Sequence, residues 1–333
     1  MKNTAYDLYS QGKYAKAEKA FRKNLALEPS DPDTIIMLGR CLFEQGKSDK
    51  AINCYQKAIG LCTDDDDRAY AHYFLGLAYG SLEEHIKAEA AFRESLGLNP
   101  SDSYIFFNLG ISLANQGKYD EAIGYFERAL ELSTGDEERA SAHAQLGFVS
   151  CDKDDWEYAI ENYETAIQLS DKQKTAEIFF NLGVAYAKLE EYVKAETAFR
   201  ESLTLNPSDT YTIRNLGVIL LFQEKYDESI HYNKKAIELS TDEEERGCVY
   251  ATLGETYQKK NEWECAIENY EAAICLSKEQ KTAENFLNLA FAYEQLEDYA
   301  KAETTYRELL ALEPSNPDAN AKLAFCLERQ KKV

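Results

Sequence analysis

Eight cysteines, four histidines and 59 acidic side chains are the groups in this 333-residue chain that could hold a metal, attack a carbonyl or carry a proton. Their spacing supports none of these. Cys41, Cys54, Cys62, Cys151, Cys248, Cys265, Cys275 and Cys326 form no C-x-x-C pair and have no histidine at zinc-ligand spacing, which reads as free thiols in a reducing compartment. His72, His85, His143 and His231 lie far apart, and His72 and His143 hold a position that packs between helices. Asp64, Asp65 and Asp66 stand together, but the twelve-residue ligand spacing and glycine of a calcium loop are missing. No Gly-rich phosphate loop, nucleophile elbow or H-E-x-x-H occurs, and no carboxylate pair is set apart as acid and base. The expectation is a protein that is not an enzyme and that uses no cofactor and no metal.

Charge narrows the partners. With 37 basic against 59 acidic side chains, a formal charge of −22, the chain repels phosphate backbones and anionic lipid, so no nucleic-acid partner is expected. The opening residues MKNTAYDLYSQGKY lack the apolar core of a signal peptide, and no run of about 18 apolar residues follows, so a cytoplasmic protein without membrane insertion is expected. Six prolines and an abundance of Ala, Leu, Glu, Lys and Tyr make the fold class all-α.

The elements that carry the remaining side chains emerge from repetition. The stretch AEAAFRESLGLNPSD starts at Ala88, AETAFRESLTLNPSD at Ala195 and AETTYRELLALEPSN at Ala302, each 107 residues after the one before. Inside this long period a shorter one recurs: Leu38-Gly39, Leu75-Gly76, Leu109-Gly110, Leu146-Gly147, Leu182-Gly183, Leu216-Gly217 and Leu253-Gly254, then Leu289-Ala290 and Leu323-Ala324. Twelve residues after the small residue comes another: Ala51, Ala88, Ala122, Ala159, Ala195, Ser229, Ala266 and Ala302. Four later, in most units, stands Tyr55, Phe92, Phe126, Tyr163, Phe199, Tyr270 or Tyr306. Two amphipathic helices joined by a tight turn satisfy this spacing, with small residues at the crossing and the aromatic filling the space beside it.

A unit of about 34 residues with L-G…Y…A…F…P spacing resembles the tetratricopeptide repeat. The resemblance covers essentially the whole chain. It implies one right-handed superhelical solenoid over residues 1–333, with about nine hairpins starting near 1, 32, 69, 103, 140, 176, 210, 247 and 283, and a capping helix over 317–333. Two departures are visible. No unit has tryptophan in its first helix, where Ile35, His72, Phe106, His143, Phe179, Ile213, Tyr250 and Phe286 stand, and the unit from Thr210 puts Asn233 in the aromatic's place, predicting looser packing there. Three units of about 34 residues fall short of 107, so the junctions carry insertions. The pairs Thr134 to Glu137, Ser170 to Gln173, Thr241 to Glu244 and Ser277 to Gln280 have capping-box spacing, and the acidic runs among them predict longer first helices.

In the resembling family the first helices form a concave wall. Carried over, that wall holds Tyr70, Tyr73 and Phe74; Tyr104, Phe107, Asn108 and Ile111; Gln145 and Phe148; Phe180, Asn181 and Val184; Tyr211, Arg214, Asn215 and Val218; and Asn288. It is apolar and aromatic with few charges, which suits an extended or helical segment of another protein. Asn108, Asn181, Asn215 and Asn288 share one register, with Gln145 between the first two. They would either bracket the peptide groups of a ligand or satisfy backbone groups of their own hairpins. A carboxylate clamp of the family type is not expected, because Phe107, Ile111, Phe180, Val184 and Leu287 occupy its places. The resemblance thus implies a protein-binding scaffold. The alternatives are a self-assembling scaffold, for which self-association through the ends or convex face is the mark, and an accessory region of a larger enzyme.

Overall fold

The computed structural model describes residues 2–276 and 283–331. Helices take up nearly all of them. In order they are α1 (Lys2–Ser10), α2 (Tyr14–Leu27), α3 (Pro32–Phe43), α4 (Ser48–Ile59), α5 (Asp65–Gly80), α6 (His85–Leu98), α7 (Ser103–Ala114), α8 (Tyr119–Leu132), α9 (Asp136–Asp152) and α10 (Trp156–Leu169). A 3₁₀ turn at Asp171–Gln173 precedes α11 (Ala176–Lys188), α12 (Tyr192–Leu205), α13 (Thr210–Phe222), α14 (Tyr226–Leu239), α15 (Glu243–Lys259), α16 (Trp263–Leu276), α17 (Ala283–Gln295), α18 (Tyr299–Leu312) and α19 (Pro317–Gln330). Consecutive helices pack as hairpins, α1 with α2 through α17 with α18, and α19 lies on α18. The fold is all-α, a tetratricopeptide-type stack. Contacts divide it into two compact units, Met1–Lys174 and Thr175–Val333. Within each, the second helix of one hairpin packs on the first helix of the next.

Six hairpins close on the same contact. A Cβ placed on Gly110 would lie 2.6 Å from the Phe126 ring, and the same spacing separates Gly39 from Tyr55 and Gly76 from Phe92. Glycine leaves room for the ring against the facing backbone, and Tyr55, Phe92, Phe126, Tyr163, Phe199 and Tyr270 are accordingly buried, as is Tyr306 in the same register. Each such ring contributes about 1.5–3 kcal/mol of burial. The turns repeat as well: each holds one left-handed residue, glycine at Gly12, Gly46 and Gly117 but Glu83, Asp154, Glu190, Glu224, Asn261 and Glu297 elsewhere.

Adjacent hairpins are joined by a clasp that recurs with the long period. The half-buried Glu89 accepts from Gln116 and Lys118 of the following turn, both at 2.8 Å, and from Arg93 one helical turn on. Glu196 does the same with Gln223, Lys225 and Arg200. Glu18 holds Gln45 and Lys47, and Glu303 holds Gln330 of α19.

The helix starts differ from the sequence expectation. The acidic runs do open longer first helices: α9 and α15 have 17 residues each and α5 has 16. The three capping boxes among the described residues do not form as spaced. Gly135, not Thr134, is the N-cap of α9, without a side-chain bond. Asp242, one residue after Thr241, is the N-cap of α15 and accepts from the Glu244 amide at 3.0 Å. Ser170 caps the 3₁₀ turn, and Thr175 caps α11 through the Ile178 amide. Ser277 and Gln280 lie outside the described residues. Asp64 accepts from the amides of Asp66 and Asp67, so the aspartate run is the start of α5.

Asn233 occupies the ring's place beneath Gly217 and is fully buried. Its Nδ2 donates to the Ser229 carbonyl at 2.9 Å, while its Oδ1 is buried without a partner. Ser229 in turn donates to the Gly217 carbonyl at 2.8 Å.

Candidate functional site

The first helix of each hairpin presents one side to its partner helix and turns the residues around the Leu-Gly pair outward. In the first unit this exposes large apolar rings: Tyr70 is 44% exposed, Tyr104 51% and Phe148 45%. In the second unit Tyr211 is 56% exposed. Folding normally buries such rings, so their exposure on the same side of successive helices marks a surface. The remaining residues of the series are half-buried: Tyr73, Phe74, Phe107, Asn108, Ile111 and Gln145 in the first unit, and Phe180, Asn181, Val184, Arg214, Asn215, Val218 and Asn288 in the second.

Three crevices of similar size open between successive first helices. Between α5 and α7, a space of about 430 Å³ is lined by Tyr70, Tyr73, Phe74 and Tyr104 together with Asp66 and Asp102. Between α7 and α9, one of about 400 Å³ is lined by Tyr104, Phe107 and Asn108 with Glu137 and Glu138. Between α11 and α13, one of about 410 Å³ is lined by Phe180 and Tyr211 with Glu177 and Asp209. Ring contacts hold the walls. Tyr70 meets Phe74 edge-on with centroids 4.6 Å apart, and Phe107 and Phe180 lie against the core rings Phe126 and Phe199.

Asn108 and Asn215 have local partners. Asn108 Nδ2 donates to the Tyr104 carbonyl at 2.8 Å and to the Tyr73 hydroxyl at 3.3 Å, and Asn215 Nδ2 donates to the Tyr211 carbonyl at 2.8 Å. Each amide is thereby held against its own helix. Tyr73 has its phenol pushed up to about 12, first by burial and then by the nearby Asp102. Tyr104 is also shifted upward, chiefly because its hydroxyl donates to Glu138. Both remain neutral donors across the physiological range.

Arg40 belongs to this surface at the first unit's start. Its guanidinium sits 4.8 Å from the Tyr9 ring centroid and 4.7 Å from that of Phe74, and Nη1 donates to the Tyr70 hydroxyl at 2.7 Å. Arg214 lies over Tyr211 at 5.6 Å. At the far end of the second unit, a larger crevice of about 820 Å³ runs between α17 and α19, lined by Asn288 and Phe291 with Lys322 and Phe325. Lys322 bridges to the buried Glu294 at 2.9 Å. Reading α19 only as a cap misses Lys322 and Phe325, although each follows a wall residue, Asn215 or Val218, by the 107-residue period. Of the acids of the crevices, Glu177 stands before Leu182 in the same wall register as Tyr70, Tyr104 and Tyr211 before their leucines, whereas Asp66, Asp102, Glu137, Glu138 and Asp209 are missed because they come from helix starts outside that register.

The histidines show no shared site. His143 Nδ1 lies 2.8 Å from Asn162 Oδ1, and burial lowers the pKa of His72. Among the described residues no group of three or more His, Cys, Asp or Glu could hold a metal ion, and no helix is long and apolar enough to cross a membrane.

Family profiles described as tetratricopeptide repeat match residues 33–101, 75–137, 138–208, 215–243 and 283–326. The chain belongs to the tetratricopeptide repeat family. A profile described as anaphase-promoting complex, cyclosome, subunit 3 matches residues 3–58. Over 96% of its length the chain is 24% identical to BBSome complex member BBS4 of Bos taurus, of which it spans 59%. It is 23% identical to anaphase-promoting complex subunit 3 of Schizosaccharomyces pombe over 59% of its own length and 28% of that protein. It therefore spans only part of each. Among solved structures, YrrB, described as a TPR protein with an unusual peptide-binding site, superposes with a TM-score of 0.52 at 23% identity, over 58% of this chain and 95% of that one. That likeness is one of fold.

Proposed function

We propose that this chain is a non-catalytic protein-binding scaffold that holds an extended or helical segment of a partner protein along the face of its first helices, the concave side in repeats of this kind. The observation that carries the reading is the run of exposed rings, Tyr70, Tyr104, Phe148 and Tyr211, beside crevices of similar volume that recur from hairpin to hairpin. A single enclosed cavity would suit a small substrate, whereas a repeated crevice suits a repeating chain. The relatives named as members of the BBSome and the anaphase-promoting complex support a place in a larger assembly.

The test is affinity capture with the intact chain and with a Tyr70→Ala, Tyr104→Ala, Tyr211→Ala variant whose helical circular dichroism matches. A protein captured by the first and lost by the second is the expected result. Equal capture by both would move the contact to the other face or to the ends of the stack.

A further inference from the structure

The walls of the crevices are aromatic, but their rims are acidic. Between α5 and α7, Asp66 and Asp102 face the space lined by Tyr70, Tyr73 and Tyr104. Between α7 and α9, Glu137 and Glu138 face Tyr104 and Phe107. The crevice of the second unit repeats the combination with Glu177, Asp209 and Tyr211. In each case the acids come from the helix N-cap or first turn, and the rings come from the same side of the first helices, from Tyr104 and Tyr211 in the first turn to Tyr70, Phe107 and Phe180 further along. Arg40 is the one basic residue lining any of these three spaces, and it is already engaged with Tyr70 and Phe74. On the rim, Lys172 bridges to Glu137 and the Tyr104 hydroxyl donates to Glu138, so Asp66, Glu177 and the second oxygens of Glu137 and Glu138 are the groups a ligand meets.

We infer that the first-helix face takes a basic polypeptide segment, with Lys or Arg side chains lying on the tyrosine rings and their charged ends meeting the carboxylates. This rests on the reading of that face as a protein-binding surface and names the chemistry of its ligand. Arg40 displays the arrangement within the chain: its guanidinium stacks between Tyr9 and Phe74 and bonds the Tyr70 hydroxyl. A cation over an aromatic face is attracted by the ring's quadrupole, and a neighbouring carboxylate adds directional hydrogen bonds. The −22 charge of the whole chain draws a basic segment in and repels an acidic one. Tyr104 lines both crevices of the first unit, so an extended segment can enter one and then the next without leaving the surface.

The experiment is selection of displayed random peptides of about twelve residues on the intact chain, followed by fluorescence-anisotropy titration of those selected. Peptides rich in Arg and Lys are expected, with affinity falling about tenfold between about 50 and about 300 mM NaCl. A charge-neutral variant, Asp66→Asn with Glu137→Gln and Glu138→Gln, should weaken them at least about fivefold, as should Tyr104→Ala. None of the three acids supplies the capping bond of its helix, and Glu138→Gln alone serves as a milder second variant. Neutral or acidic peptides that still depend on Tyr104 would overturn the basic ligand and leave the binding face standing. Peptides indifferent to every one of these substitutions, or no selected peptide, would overturn both.

Discussion

At the scale of single residues, the hairpin is defined by what a glycine leaves room for. Six of the seven glycines of the Leu-Gly pairs face an aromatic ring, and the seventh, Gly217, faces Asn233. Asn233 stands 107 residues after Phe126, in a pocket that elsewhere holds a ring, and its buried Oδ1 has no partner. An unsatisfied buried polar atom costs about 1–3 kcal/mol, and a ring would add apolar burial as well. Asn233→Phe is therefore expected to stabilise the protein by about 1–2 kcal/mol. Urea titration should show the midpoint rising with an unchanged slope. A lower midpoint would mean that Ser229 and Thr256, which lie 3.2 Å apart across the helices, have reshaped the pocket for the amide.

Between elements, the clasp at Glu89 joins one hairpin to the next through charge. Burial alone would raise the carboxyl's pKa, but the bonds from Lys118, Gln116 and Arg93 outweigh it and hold the group at about 2. An unfolded glutamate titrates near about 4.3. The folded value is the lower one, so the stabilisation is present in full above the unfolded value and disappears as pH falls through about 2. Glu89→Gln should lower stability at neutral pH by about 1–3 kcal/mol, with the gap to the parent closing under acid. Chemical denaturation at a series of pH values between neutrality and strong acid measures this. A gap that stays constant with pH would show that packing, and not charge, sets the contribution of the clasp. Glu196 and Glu18 are likewise held low by their Gln, Arg and Lys partners against the upward push of burial.

At the scale of the molecule, stability within each unit is a sum of neighbouring contacts, because there each hairpin packs on the hairpins beside it. Gly110→Ala would push a methyl group to 2.6 Å from the Phe126 ring and should cost about 1–3 kcal/mol. The loss should be local. Amide hydrogen exchange is expected to accelerate most in α7 and α8, less in α5, α6, α9 and α10, and least in α1 and α2 of the same unit. Uniform acceleration across Met1–Lys174 would show that this unit opens as one cooperative block.

What the sequence determined by itself was local and periodic. Two helices with a glycine opposite a ring, a tight turn between them and acids at the start of the longer first helices all follow from spacing, since each depends on residues within one repeat. The all-α class followed from composition, and the series of wall residues around the Leu-Gly pairs was carried over from the family resemblance onto that register. Only the tertiary structure decided what depends on two hairpins meeting. The Glu89 clasp reaches 27 residues to Gln116, and the N-caps were settled by Gly135, Asp242 and Thr175 in competition with the hydroxyls spaced for capping. The acidic rims of the crevices belong here too. Asp66, Asp102 and Glu138 precede the register of the wall, and stacking brings these helix-start carboxylates beside the rings of Tyr70, Tyr73 and Tyr104. A one-dimensional repeat fixes which side chains recur, whereas their charge and aromatic surfaces combine into a site only where the three-dimensional stack sets one hairpin's helix start against another's wall.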